Sequence, residues 1–273
     1  MLRKTKKSNL IYVVSYPKSG ATWFRMLMYT LYHQKSSSSA EIQNFYPEVD
    51  NQDKLVKQNI KSGKEFFIKS HYCFKPDLKY LDKAKAVICL VRDPFNVMMS
   101  KLDHYKYEGV EWVRNEKGVD RFVDEFLQAA KAPPNMDNDK IHGGWNYHTL
   151  SWHNAELKIP VHFIKYEDLI ENTFETIKRL CIMMGLTFSN KEIRNAVALS
   201  EFQEMKKIEK NELENKTPGM FYSKLRRESY LDDQKNMFVN KGKDRDAILE
   251  LKVEQILRGK LVFYEGMELM SYK

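Results

Sequence analysis

Leu10-Ile11-Tyr12-Val13-Val14-Ser15-Tyr16-Pro17-Lys18-Ser19-Gly20-Ala21-Thr22-Trp23 is the stretch on which the fold turns. Leu10 to Tyr16 is apolar and β-branched, and Pro17 and Gly20 bound it, so it reads as a buried strand that ends in a turn. From Thr22 to Tyr32 apolar residues recur at helical spacing, which starts a helix near Gly20. A helix N-terminus presents unpaired N–H groups and a partial positive charge. Gly20 lets the backbone approach a ligand and Lys18 adds a full charge, so the turn suits a phosphate-like anion.

The stretch differs from a Walker A loop in an informative way. With Gly20 as the second glycine of GxxxxGK[ST], Ser15 stands for the first glycine and Ala21 for the lysine. Only Thr22 keeps its place. The Walker lysine reaches the β and γ phosphates of a triphosphate, so its absence speaks against a kinase or ATPase. Lys18 sits inside the loop, where it reaches a shorter donor. On these residues alone, an ordinary strand-to-helix turn with an exposed lysine remains the competing reading.

Outward from this stretch, strands alternate with helices. Residues 65–69, 86–91 and 161–165 read as further strands, and Ala86–Val91 is apolar without alternation, as in a parallel sheet covered on both faces. Asp93-Pro94 opens a helix. Residues 120–131, 145–158, 167–184 and 190–208 read as helices, and Asp244–Arg258 as a last amphipathic one. Residues 40–64 read as an irregular surface segment, and 210–236 as charged and weakly patterned. The pattern predicts an α/β fold with a central parallel β-sheet flanked by helices, in a single domain over residues 1–273. In such sheets ligands bind at the carboxyl ends of the strands.

Composition sets outer limits. Hydrophobic residues make up 42% of the 273, enough for a substantial core. The formal net charge of +8 suits an anionic ligand or partner, without separating nucleic acid from nucleotide. Cys73, Cys89 and Cys181 form no CxxC pair and no zinc pattern, and an odd number fits reduced thiols in a cytoplasmic protein. The run at Leu10–Val14 is too short for a signal-peptide core, and no stretch approaches the roughly 18 apolar residues that cross a bilayer. A soluble protein with no membrane partner is expected.

Tyr16-Pro17-Lys18-Ser19-Gly20-Ala21-Thr22-Trp23 resembles the donor-binding loop of the cytosolic-type sulfotransferase family, whose usual form has Thr where this chain has Ala21. Further segments follow in the family's order. Arg92-Asp93-Pro94-Phe95-Asn96-Val97-Met98-Met99-Ser100 is similar to the 3′-phosphate motif, an Arg and a Ser eight positions apart. Phe67-Ile68-Lys69-Ser70-His71 resembles the Lys-Thr-His segment, whose histidine is the catalytic base. Lys165-Tyr166-Glu167-Asp168-Leu169 resembles the Tyr-Glu-Asp segment, whose tyrosine contacts adenine; Glu167 and Asp168 also suit a helix cap. Ser200–Lys206 resembles the segment that lays an aromatic ring, here Phe202, on adenine opposite Trp23. Phe238-Val239-Asn240-Lys241-Gly242 resembles the late Arg-Lys-Gly loop that closes over the 3′-phosphate. Asn240 replaces its arginine, and Arg226, Arg227 or Arg245 stand as candidates for the missing charge.

The resemblance implies a P-loop-like sulfotransferase fold and a donor, 3′-phosphoadenosine 5′-phosphosulfate (PAPS), that leaves as PAP, with no metal. Donor contacts would come from Lys18, Ser19, Gly20, Ala21, Thr22, Trp23, Arg92, Ser100, Tyr166, Phe202, Lys241 and Gly242. Catalysis would rest on His71, Lys18 and Lys69: His71 takes the acceptor proton, Lys18 stabilises charge on the leaving bridge oxygen, and Lys69 assists at the sulfuryl oxygens. The acceptor would be a small molecule with a hydroxyl or amine, lined by variable segments that hold Tyr72, Phe74, His104, Tyr105, Trp145, Phe221 and Tyr222. Two other classes compete: a P-loop small-molecule kinase, which the missing Walker lysine disfavours, and a basic nucleic-acid-binding protein, for which no fingerprint is present. Oligomeric state, a homodimer included, is left open.

Overall fold

The computed structural model describes residues 9–135, 141–222 and 246–272. Its centre is a parallel sheet of four strands, β1 (Leu10–Ser15), β2 (Phe66–Ser70), β3 (Ala84–Val91) and β4 (Val161–Lys165), in the order β2-β1-β3-β4. β1 is buried throughout because both of its faces are covered. Ile11 and Val13 join one apolar cluster with Phe24, Leu27 and Leu31, while Leu10, Tyr12 and Val14 join another with Ile68, Val87 and Trp152. That is the period-2 alternation of a strand applied to two cores at once. Each fully buried Leu or Phe of this kind stabilises the fold by roughly 1.5–3 kcal/mol.

Helices pack on both faces: α1 (Ala21–His33), α2 (Ser39–Phe45), α3 (Asp53–Ser62), α4 (Pro94–Tyr107), α5 (Glu116–Gln128), α6 (Trp145–His153), α7 (Tyr166–Glu171), α8 (Thr173–Met184), α9 (Asn190–Leu199), α10 (Phe202–Asn215) and a last helix over Val253–Leu269. Chain order and sheet order part company between β1 and β3. The chain leaves β1 towards β2 on one side and returns to β3 on the other, so the crevice between the ends of β1 and β3 is the switch point where ligands bind in such sheets.

Several helix boundaries depart from the sequence reading. Residues 40–64 are not irregular: they hold α2 and α3. α2 is started by the Ser38 hydroxyl, which accepts from the Glu41 N–H. These helices bury few residues, Ser39 and Ile42 in one and Val56 in the other, so their apolar periodicity is thin. The expected helix 167–184 is two, divided at Asn172, whose side chain caps α8 by accepting from the Glu175 N–H. The expected helix 190–208 is also two, divided at Ser200-Glu201. The helix from Trp145 ends at His153, and the one expected at 120–131 begins earlier, with Asn115 as its cap. The last helix begins at Val253, after a short 3-10 turn over Ala247–Glu250, and runs on to Leu269. Cys73, Cys89 and Cys181 are all buried free thiols.

Candidate active site

Strand register gathers the singled-out segments. Val14 pairs with Ser70, Ser15 with Leu90, and Val91 with Lys165. The residues that follow each strand, His71 after β2, Tyr16–Gly20 after β1, Arg92 after β3 and Tyr166 after β4, therefore stand side by side along one edge of the sheet. Segments up to 150 positions apart in the chain meet there because parallel pairing aligns carboxyl ends.

The loop after β1 is shaped by backbone. Lys18 adopts φ 73° and Gly20 φ 90°, both left-handed, and the Ser19 N–H donates to the Tyr16 carbonyl at 3.2 Å. Gly20 is the N-cap of α1 and gives that helix no side-chain cap, so its first N–H groups face the loop. A Cβ on Gly20 would lie 2.4 Å from Cδ2 of Tyr166. The Ser19 hydroxyl and the Arg92 Nε are buried without a partner among the described residues. Such orphaned donors are rare in folded proteins and mark a site shaped for a ligand. Donors, a helix N-terminus and a nearby guanidinium are what a phosphate needs, so these residues fit the phosphate groups of a nucleotide donor. The Tyr16 ring turns the other way and packs against Phe126, His142 and His148.

Arg92 spans the switch point. Its Nη1 donates to the Lys18 carbonyl at 3.2 Å, and its guanidinium lies 4.3 Å from the Tyr166 ring centroid. Its own carbonyl accepts from the Trp145 indole N–H at 3.1 Å. Asp93 caps α4 through the Asn96 N–H, with Pro94 in the first turn, as the sequence implied. Ser100 lies further along α4, half-buried. Glu167 does more than begin a helix: its Oε1 accepts from the Asp93 N–H at 2.9 Å and its Oε2 from the Tyr272 hydroxyl at 2.8 Å, joining the ends of β3 and β4 to the segment that follows the helix over Val253–Leu269.

Trp23 meets the Tyr166 ring edge-on, with centroids 6.0 Å apart, and its indole N–H donates to the Ser200 carbonyl at 2.9 Å. The break between α9 and α10 leaves that carbonyl available and places Phe202 at the first position of α10. There Phe202 and Trp23 pack against the same cluster of Met26, Tyr29 and Met205. Ala21 and Thr22 occupy the first turn of α1.

His71 is oriented by β1. Its Nδ1 donates to the Ser15 carbonyl at 2.7 Å, with the Ser15 hydroxyl at 3.2 Å, which leaves Nε2 as the nitrogen able to accept a proton. Desolvation and then the Lys69 charge hold its pKa well below the usual imidazole value, against the opposite pull of the Ser15 carbonyl and Glu48. The ring is therefore neutral at neutral pH, the form a general base needs. Lys69 is paired with Glu48 at 2.9 Å.

Three participants were not singled out from the sequence: Glu48, His142 beside Tyr16, and the Ser15 carbonyl. Glu48 reaches Lys69 only through tertiary contact, and a carbonyl carries no sequence signal. Of the aromatic residues expected near an acceptor, Trp145 is core, packed on Phe263. Phe74 packs on Trp152, and Phe221 joins the Met26 cluster. Asn240, Lys241 and Gly242, and Arg226, Arg227 and Arg245, lie outside the described residues.

The sulfotransferase domain model matches residues 9–271. A flavonol sulfotransferase-like protein of Flaveria bidentis is 23% identical over 261 residues, covering 89% of this chain and 81% of that protein. Sulfotransferase 2A1 of Homo sapiens is 24% identical over 257 residues, covering 91% and 85%. Among solved structures, a mouse sulfotransferase complexed with PAP superposes with a TM-score of 0.63 at 20% identity, covering 95% of this chain and 84% of that one. A retinol dehydratase bound to retinol and PAP superposes with a TM-score of 0.64 at 15% identity, covering 96% and 82%.

Proposed function

The chain belongs to the sulfotransferase family, and from that premise we propose that it moves a sulfuryl group from PAPS to a hydroxyl or amine of a small-molecule acceptor, as a single domain. The observation that carries this reading is the line of strand ends. An uncapped helix N-terminus, a buried guanidinium and a neutral histidine, held on adjacent parallel strands, supply both an anion site and a base.

In this reading the loop N–H groups after Gly20 and the Ser19 hydroxyl hold the 5′-phosphate side of the donor. Arg92 and Ser100 hold the 3′-phosphate. Trp23, Phe202 and Tyr166 hold the adenine. The sulfuryl group then faces the end of β2. His71 Nε2 accepts the acceptor proton as the acceptor oxygen or nitrogen bonds to sulfur and the sulfur–oxygen bridge to the phosphate breaks. Lys18 offsets charge on the departing bridge oxygen, and Lys69 on the sulfuryl oxygens. The two ammonium groups take the charge-stabilising part that Mg²⁺ plays in kinases, so no metal is required.

The test is a panel of small phenols, alcohols and amines incubated with PAPS and followed by mass spectrometry for added sulfate. A parallel melting experiment compares PAP, ATP with Mg²⁺, and single-stranded oligonucleotide. Sulfated product and stabilisation by PAP are expected. Stabilisation by ATP with Mg²⁺ alone would replace this reading with a kinase, and stabilisation by oligonucleotide alone with a nucleic-acid-binding protein.

A further inference from the structure

A carboxylate from another part of the chain is built onto the end of β2. Residues 47–49 run beside this edge strand: the Lys69 N–H donates to the Pro47 carbonyl at 2.8 Å, and the Val49 N–H donates to the Lys69 carbonyl at 3.0 Å. Glu48 is thereby a parallel bridge partner of Lys69. One oxygen of its carboxylate, Oε1, accepts from Lys69 Nζ at 2.9 Å and from Arg25 Nη1 at 3.2 Å. Arg25 is 2% exposed at its side chain and is fixed independently, since its Nη2 donates to the Tyr46 carbonyl at 2.6 Å.

This is not an ordinary surface pair. Two cations share one carboxylate, and a backbone ladder sets the spacing between the carboxylate and one of them. Burial works to raise the Glu48 pKa, but the Lys69 and Arg25 charges outweigh it and bring it down to about 2. Glu48 is thus ionised throughout the neutral range. A lysine stem rotates about four bonds, so an ammonium without a fixed partner spreads over many positions. A charge stabilises a transition state only when it is already in place as the new charge develops.

We propose that Glu48 is a positioning residue for the transfer step, holding the Lys69 ammonium beside His71 and the sulfuryl group. The proposal rests on the sulfotransfer reading above. Without the carboxylate, the Lys69 ammonium loses the counter-charge it shares with the buried Arg25 and is held less firmly in this position. Glu48 also offsets the effect of the Lys69 charge on the histidine, since its own charge acts on that ring in the opposite sense.

A double-mutant cycle of E48Q and K69M tests this, read as kcat with p-nitrophenol or with an acceptor found in the mass-spectrometric panel. Melting shifts with PAP report donor binding. E48Q is expected to lower kcat about 10-fold or more with the PAP shift kept, and K69M at least as much. The double variant should be no slower than K69M alone, because Glu48 acts through Lys69. A double variant as slow as the product of the two single effects overturns the proposal, and so does an E48Q enzyme with wild-type kcat. Should E48Q fail to fold, E48D carries the same cycle: its smaller loss must vanish in the K69M background. Absence of wild-type turnover on every acceptor instead removes the sulfotransfer reading itself.

Discussion

The ends of β1 and β2 each carry a lysine of the candidate site, and the protein treats the two differently. After β1 the site is made largely of backbone: Lys18 and Gly20 in left-handed conformations, an uncapped helix, and a buried Ser19 hydroxyl with no partner among the described residues. After β2 it is made of side chains that orient one another, His71 on Ser15 and Lys69 on Glu48. The first arrangement suits an anion that arrives already charged. The second suits a proton that must move during the reaction. Backbone geometry does not titrate, whereas the histidine and its neighbours do, so damage to the two ends should separate into lost binding and lost turnover.

The sharpest separation comes from His71→Ala. Turnover is expected to fall about 10²–10⁴-fold, the usual range for a lost general base, with the PAP melting shift retained. A variant that turns over normally removes His71 from that role. Gly20→Ala strikes the other end. Its Cβ would meet the Tyr166 ring and force a left-handed conformation on a residue with a side chain. A cost of about 1–3 kcal/mol in stability and a weakening of PAP binding are expected in calorimetry, and unchanged affinity would show that the loop does not hold the donor.

Acidification probes the titrating end without mutation. His148, lowered to about 3 by burial and the neighbouring His142, and His71, also depressed, are neutral in the folded chain but bind protons when unfolded. Stability should therefore decline as pH falls below the ordinary histidine value of 6.5. Glu48, at about 2 when folded, adds a second loss as pH falls below the ordinary carboxylate range near 4.5. Urea midpoints measured across pH should show this two-stage decline, and a midpoint independent of pH above 3 would contradict it. The smallest effect belongs to Ala21→Thr. A hydroxyl in the first turn of α1 adds one hydrogen bond of about 0.5–1.5 kcal/mol, which corresponds to tighter PAP binding by about 2- to 10-fold with kcat little changed.

The contrast between the ends also explains what could be read from sequence. The β1 end was legible because its parts are contiguous: an apolar run, a turn and a helical repeat within 23 residues of one another. β1 and β3 were legible because parallel strands buried on both faces are plain apolar runs. The partner that holds Lys69 was not, because Glu48 lies 21 positions away on a segment read as irregular, and only the bridge beside β2 joins them. Helix breaks at Asn172 and Ser200-Glu201 were missed because the helical apolar spacing continues across them. The second break matters most, since it frees the Ser200 carbonyl for Trp23 and places Phe202 beside it.

The Glu167–Tyr272 hydrogen bond gives the site a direction in time. Synthesis runs from the N-terminus, and a domain folds as a unit once its parts have emerged. The anion loop after β1 is made well before Glu167, which steadies Asp93 next to Arg92, can meet the Tyr272 hydroxyl. Tyr272 also packs against two of the apolar clusters, one on the sheet and one among the helices beside it. A nascent chain halted short of that residue would carry the phosphate loop without this clasp. Full donor affinity should require synthesis through Tyr272.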